Sequence, residues 1–323
     1  MKKALIDIHH HARPAGYSEA LASVGIRSVA GRPILEWECQ RALDLMDKNG
    51  IGTAVLSSPD SESAFAHKHL AVNLSRQINE MYAEISARHK GRFGGFASLP
   101  LPHMDESLAE LEFAMDHLRL DGVFFSSNHA GLYPGDARLD PLMCELERRN
   151  AVVFVHPASP PTTKPEGLDL PGWLIDFPSD TTRCIANLIK GDVPKRFPNV
   201  KFIFSHAGGF APFMPFRFAT FGVLGAEKNA VPSFEEATVR VEKALQSFYY
   251  DTAQAAHPAT LKLLVDLVGP DHILFGSDHP QVPDEIFAAT ASAVSKFAAD
   301  VPAAAGCLRD NAVRLLPRFV TEA

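Results

Sequence analysis

Eight short apolar runs, recurring along the chain with helix-like segments between them, restrict the folds open to it more than any other feature. They are ALIDI (4–8), TAVLS (53–57), FGGFAS (93–98), DGVFFS (121–126), AVVFV (151–155), KFIFS (201–205), SFYYD (247–251) and HILFG (272–276). Near-continuous apolar strands of this length belong in a parallel sheet covered on both faces. The intervening segments carry helical spacing. Leu108, Leu111, Met115 and Leu118 recur at three and four residues, with Asp105 placed to cap the first turn. Asp140-Pro141 marks another start, and Pro258 opens a segment with Leu261, Leu264, Val265 and Val268 on one face, stopped by Gly269-Pro270. This alternation implies an α/β protein, a (β/α)8 TIM-like barrel, with a doubly wound open sheet as the alternative. The 323 residues suit one barrel domain, 1–323. Two connections, at about 12–33 and 157–198, are longer than a barrel needs and rich in Pro and Gly, so cap insertions are expected after strands 1 and 5. The second holds Trp173, Phe177 and a helix-like stretch from Ser179 to Ile189, which suits an ordered cap.

The first run leads directly into His9, His10 and His11. On an extended strand His9 and His11 share a face with Asp7 while His10 looks the other way, which makes an H-x-H pair. The fifth and sixth runs end as VVFVHP and FIFSHAGG, presenting His156 and His206, and the eighth continues as ILFGSDHP, presenting Asp278. In a barrel those C-terminal strand ends converge on one mouth, where this fold builds its active sites. Imidazole nitrogens with one carboxylate oxygen suit zinc and related divalent ions, with a position left open for water or substrate. A strand-end histidine taken alone is ordinarily a hydrogen-bonded structural residue, and an aspartate before a helix is ordinarily a cap. Their joint placement at strands one, five, six and eight points instead to a site. Asp251, which ends the seventh run in YYDTA, is expected to support it.

The ordered set D-I-H-x-H, F-V-H-P, S-H-A-G-G and F-G-S-D-x-P resembles the amidohydrolase superfamily over nearly the whole chain. Its spacing is most similar to the branch that holds aminocarboxymuconate semialdehyde decarboxylase and related aromatic-acid decarboxylases. The resemblance implies a metal-dependent decarboxylase in which His9, His11, His156 and Asp278 hold one divalent metal ion, zinc foremost and manganese second. His206 would act beside it as acid or base. The fourth strand, DGVFFSSNH, lacks the lysine that bridges two metals in binuclear members, so a mononuclear site is implied. The family motif runs on through HAGGFAPFMPFR to Arg217, whose counterparts reach a neighbouring subunit's site and grip a substrate carboxylate, implying a homodimer or higher homo-oligomer. PGWLIDFPSDTTR resembles the matching part of salicylate-type decarboxylases, with Trp173 and Phe177 as ring contacts and Arg183 as an anion contact. Several aromatic-acid decarboxylases of this branch carry Glu where His9 stands, which places the chain nearer the muconate-type and methylsalicylate-type members.

The implied substrate is a small carboxylated aromatic or muconate-like acid. A proton reaches the carbon bearing the carboxylate, from His206 or Asp278, and CO2 leaves. Two other readings stay open. One is hydrolysis of a lactone or related ester at the same metal, distinguished by water uptake in place of CO2 release. The other is a non-catalytic metal-binding protein, against which His206 and the lack of a fourth Cys or His to close the site both weigh.

Composition excludes other classes. A formal charge of -7 with no basic stripe argues against nucleic acid or an anionic membrane surface as partner. No run approaches a membrane span, and the short core before Asp7 is no signal-peptide h-region. Cys39, Cys144, Cys184 and Cys307 form no C-x-x-C pair, which suits buried, reduced thiols in a cytoplasm. His67, His69, His89, His103 and His117 fall on or beside helices and are expected at the surface.

Overall fold

The structure, a computed structural model, describes residues 4–29, 32–59, 65, 67–160, 169–225 and 231–320. All eight apolar runs become strands of one sheet: β1 (Leu5–His11), β2 (Ile51–Ser57), β3 (Phe93–Ala97), β4 (Gly122–Ser126), β5 (Val152–His156), β6 (Lys201–Phe204), β7 (Tyr249–Asp251) and β8 (Ile273–Leu274). Each pairs in parallel with its successor, in sequence order. The sheet closes on itself, because Ile8 N donates to Phe275 O at 3.0 Å and Asp278 N to His9 O at 2.9 Å. Unbroken order plus closure is a barrel; a doubly wound sheet would reverse direction from its first strand.

Two apolar layers follow from the alternation of side chains along the strands. Ile6, Ile8, Val55, Phe96, Phe124, Phe154, Ile203 and Leu274 fill the barrel, with Leu316 and Phe319 of the C-terminal segment in the same cluster. A larger layer lies between the strands and the surrounding helices. The longer of those helices are α1 (Tyr17–Ser23), α2 (Cys39–Lys48), α3 (Lys68–Arg88), α4 (Met104–Glu112), α5 (Asp140–Arg148), α6 (Gly172–Lys190), α7 (Pro215–Leu224), α8 (Phe234–Ser247), α9 (Pro258–Val268) and α10 (Asp284–Asp300). Pro258 opens α9 and Gly269, at φ 88°, follows its end, as the turn chemistry dictates.

Four local expectations are revised. Asp7 does not share the face of His9 and His11. In the β1–β2 ladder Asp7 pairs with Ala54 and His10 with Leu56, three residues against two, and this bulge passes the inward face from Ile6 and Ile8 to His9 and His11. Asp7 is turned instead toward His10, whose Nδ1 lies 3.4 Å from Asp7 Oδ2. Asp105 lies inside the first turn of α4, behind an N-cap at His103, so its charge favours the helix N-terminus without capping it. Cys144 is exposed on α5, where Leu142, Met143 and Leu146 take the buried positions, and Cys39 is half-buried. His89 and His103 are half-buried, while His67, His69 and His117 are exposed. Among the described residues no helix is long and apolar enough to cross a membrane.

Candidate metal centre and active site

His9, His11, His156 and Asp278 meet at the C-terminal ends of β1, β5 and β8, with their potential ligand atoms all within 4.8 Å of one another. His9 Nε2 and His11 Nε2 are 3.0 Å apart, and each lies 3.1 Å from Asp278 Oδ1. Ligands at 2.0–2.1 Å from a tetrahedral ion stand roughly 3.3 Å apart, so this spacing fits a shared cation.

The opposite nitrogen of each imidazole is already engaged. His9 Nδ1 donates to Asp251 Oδ2 at 2.6 Å, His156 Nδ1 donates to Pro157 O at 2.9 Å, and His11 Nδ1 is hydrogen-bonded to Ser57 Oγ at 3.0 Å. Such backing fixes ring orientation and leaves Nε2 for the ion. The four side chains are buried, which sets their charge states. Burial lowers the pKa of His11 to about 3 and that of His156 well below the ordinary value, so both are neutral donors. Burial also opposes the charged form of Asp278, but His9, His11 and His206 outweigh it and hold the carboxyl well below its usual range. His9 differs: burial disfavours its cation, yet Asp251 and Asp278 together raise its pKa to about 10. A cation that bound through His9 would have to displace that proton.

His206 stands beside this set. Its Nε2 is 3.4 Å from Asp278 Oδ2, and its backbone N donates to Asp251 Oδ1 at 2.8 Å. Asp251, fully buried, thus anchors both His9 and His206, a closer role than its place at the end of β7 suggests. The HAGG turn explains how the ring reaches the mouth: His206, Ala207, Gly208 and Gly209 all have positive φ, between 52° and 75°. The left-handed region costs about 1–2 kcal/mol per residue with a side chain, so His206 and Ala207 are held there by their surroundings. Glycine is required next, because a Cβ on Gly209 would come within 2.3 Å of Pro178 O. That contact seats the turn against α6, where Thr182 Oγ1 also accepts from Phe210 N at 2.8 Å.

Above these four side chains opens a cavity of ≈ 430 Å³ onto which His156, His206 and Asp278 face. Trp173 and Phe177, both on α6, line it, and the Phe177 ring is 6.2 Å from that of His156. The helix is anchored beneath by fully buried Asp180, which accepts from Ser127 Oγ and, at 2.7 Å, from Asn128 Nδ2. Arg183 is exposed, 3.6 Å from Asp180, and is not among the lining residues. Arg217 is exposed on α7 and does not line the cavity of its own chain either. His279 packs against His10, ring centroids 4.7 Å apart, behind β1 and away from the cavity.

Among the lining residues that escaped the sequence reading are three polar ones with defined places. Arg32 donates to Gln281 O at 2.7 Å and lies 4.2 Å from the Trp173 ring centroid, a cation–π contact. Gln254, at φ 51°, donates from Nε2 to Asp278 Oδ2. Arg13 sits two residues beyond His11. Only Arg13 carried a signal, the Arg-Pro pair that follows H-x-H.

Residues 6–318 match the amidohydrolase family. The chain is 34% identical over 293 residues to a 6-methylsalicylic acid decarboxylase of Penicillium expansum, covering 87% of this chain and 86% of that one. It is 34% identical over 331 residues to the decarboxylase macB of Penicillium terrestre, covering 98% and 96%. The crystal structure of an amidohydrolase II superposes with a TM-score of 0.88 at 29% identity, over 97% of this chain and all of that one. The chain belongs to the amidohydrolase family, as an enzyme of its metal-dependent decarboxylase branch.

Proposed function

We propose that His9, His11, His156 and Asp278 hold a single divalent ion, zinc before manganese, and that the enzyme removes CO2 from a small carboxylated aromatic or muconate-like acid in the cavity above. The observation that carries this reading is the convergence of three back-bonded imidazoles and one carboxylate beneath an aromatic-walled cavity. When bound, the ion supplies positive charge that fixes the substrate's oxygen donors. Trp173 and Phe177 hold the ring or conjugated system in place, and the walls exclude water. His206 holds the proton at Nε2 and passes it to the carbon bearing the carboxylate. The carbon–carboxylate bond then breaks, its electron pair returns to the ring, and CO2 departs. Asp278 is the weaker proton source because its oxygens already accept: Oδ1 faces His9 and His11, while Oδ2 faces His206 and Gln254.

The whole chain works as one cytoplasmic domain, and the active form is a homodimer or larger assembly through α7. Phe216 is 71% exposed and Leu224 80% exposed on that helix, an apolar face that a second copy would cover. Phe213 is both exposed and part of the cavity wall, so the cavity runs out to this face four residues before Arg217. Arg217 would then complete a neighbour's site, and Arg183, paired to Asp180, would contribute only through the position of α6. Retaining all metal donors plus His206 favours catalysis over mere metal binding. The deciding experiment supplies carboxylated arenes and muconates, alongside aryl lactones, to the metal-loaded enzyme. CO2 release with one carboxylate lost supports decarboxylation; uptake of labelled water without CO2 establishes hydrolysis instead.

A further inference from the structure

Arg13 is 7% exposed and lines the cavity at the end of β1. Among the described residues its guanidinium donates one hydrogen bond, from Nη1 to Leu35 O at 3.3 Å, and lies 5.8 Å from the Tyr17 ring centroid. No described carboxylate pairs with it, and its Nε is buried without a partner. Arginines are seldom buried this far unless paired, because desolvating the charge is costly. Arg32 adds a second guanidinium to the same cavity and, among the described residues, is likewise met by a carbonyl and an indole face, not by a carboxylate. Among the described lining residues Asp278 is the one carboxylate, and its oxygens are taken by the imidazoles and Gln254. The described lining therefore carries more positive charge than one substrate carboxylate matches. From this charge imbalance, and resting on the decarboxylase reading above, we infer that Arg13 is a specificity-determining residue: it receives an anionic substituent other than the carboxylate that leaves, so the preferred substrates are dianionic acids of the dicarboxylate type. A bidentate guanidinium–carboxylate pair inside a cavity is the chemistry such a residue offers.

The test needs no turnover. Binding of benzoate and of the three benzenedicarboxylates to the metal-loaded enzyme is measured by calorimetry in the wild type, Arg13→Gln and Arg13→Lys. At least one dicarboxylate is expected to bind ~10-fold or more tightly than benzoate in the wild type, the scale of one charge-assisted pair. Arg13→Gln is expected to abolish that preference while benzoate affinity stays within about threefold, and Arg13→Lys to keep part of it. Equal wild-type affinities overturn the inference. So does an Arg13→Gln variant that weakens benzoate and dicarboxylates by the same factor, which marks a structural strut. Should Arg13→Gln fail to fold, Arg13→Lys decides: a reduced preference with benzoate unchanged supports the role, and an unaltered preference contradicts it. CO2 release is scored separately. Dicarboxylate preference without CO2 from any acid would remove the decarboxylase reading and leave Arg13 as an anion receptor, whereas turnover of monoacids without that preference would remove only this inference.

Discussion

At the floor of the site, His9, His11, His156 and Asp278 hang from strand ends, and each is held by a further hydrogen bond to Asp251, Ser57, Pro157 or Gln254. At the roof, Trp173, Phe177, Arg32 and Arg13 come from the two long connections and are tied to a carbonyl, to one another or to α6. The floor is a buried polar network in which every donor position is over-determined; the roof is a wall of rings and cations with charge left over. Such a division lets one metal chemistry be kept while substrate choice is tuned in the connections. Breaking the floor should abolish chemistry, and altering the roof should change which acid is accepted.

The largest effect is expected from His156→Ala, which removes one of the four proposed donors from the site. Metal content, measured by atomic emission, should collapse together with turnover. Next comes His206→Asn, for which metal content should stay near normal while the rate falls roughly 10²- to 10⁴-fold, the usual weight of a general acid or base. Loss of the ion from that variant would make His206 part of the floor's ligand set. Asp251→Asn should cost about 10- to 100-fold in metal affinity or activity, since it backs His9 and the His206 turn without touching the ion. Trp173→Ala should leave metal content unchanged and raise KM by about 2- to 10-fold, the worth of one aromatic contact; a change in metal content there would erase the distinction between floor and roof.

A pH dependence with a definite sign bears on the floor alone. In the metal-free protein His9 keeps its proton up to about pH 10, well above the ordinary 6.5 of an unfolded chain. Metal and proton compete for it, so metal affinity should rise with pH across that window, approaching ~10-fold per unit, with about one proton released per ion bound. The stability that His9 gives the metal-free fold has the opposite trend, being complete below pH 6.5 and lost as pH rises through about 10. Calorimetry in buffers of different ionisation enthalpy measures the released proton directly, and none released would mean that His9 is neutral before metal arrives.

The floor was legible because strand ends of a barrel converge by topology alone, so residues 269 positions apart, such as His9 and Asp278, could be placed together from the order of the runs. The register of β1 was not legible, since a bulge leaves no mark in the residue types and reverses the face of Asp7. The roof was harder. Pro178 reads as a helix breaker, yet α6 runs through it from Gly172 to Lys190 and carries Trp173 and Phe177 as helical residues one turn apart, not as loop residues. Arg32 and Gln254 reach the cavity by the path of a connection and by a left-handed backbone, and neither has a spacing signature.

The central claim is that one ion, held at the floor, is what the reaction needs. Stripping the enzyme with a chelator and titrating zinc or manganese back, with CO2 release followed at each addition, tests it most directly. The account predicts no turnover in the stripped enzyme, intact folding, and activity that rises linearly to a break at one ion per chain. Turnover without metal, or a break at two ions per chain, would contradict it.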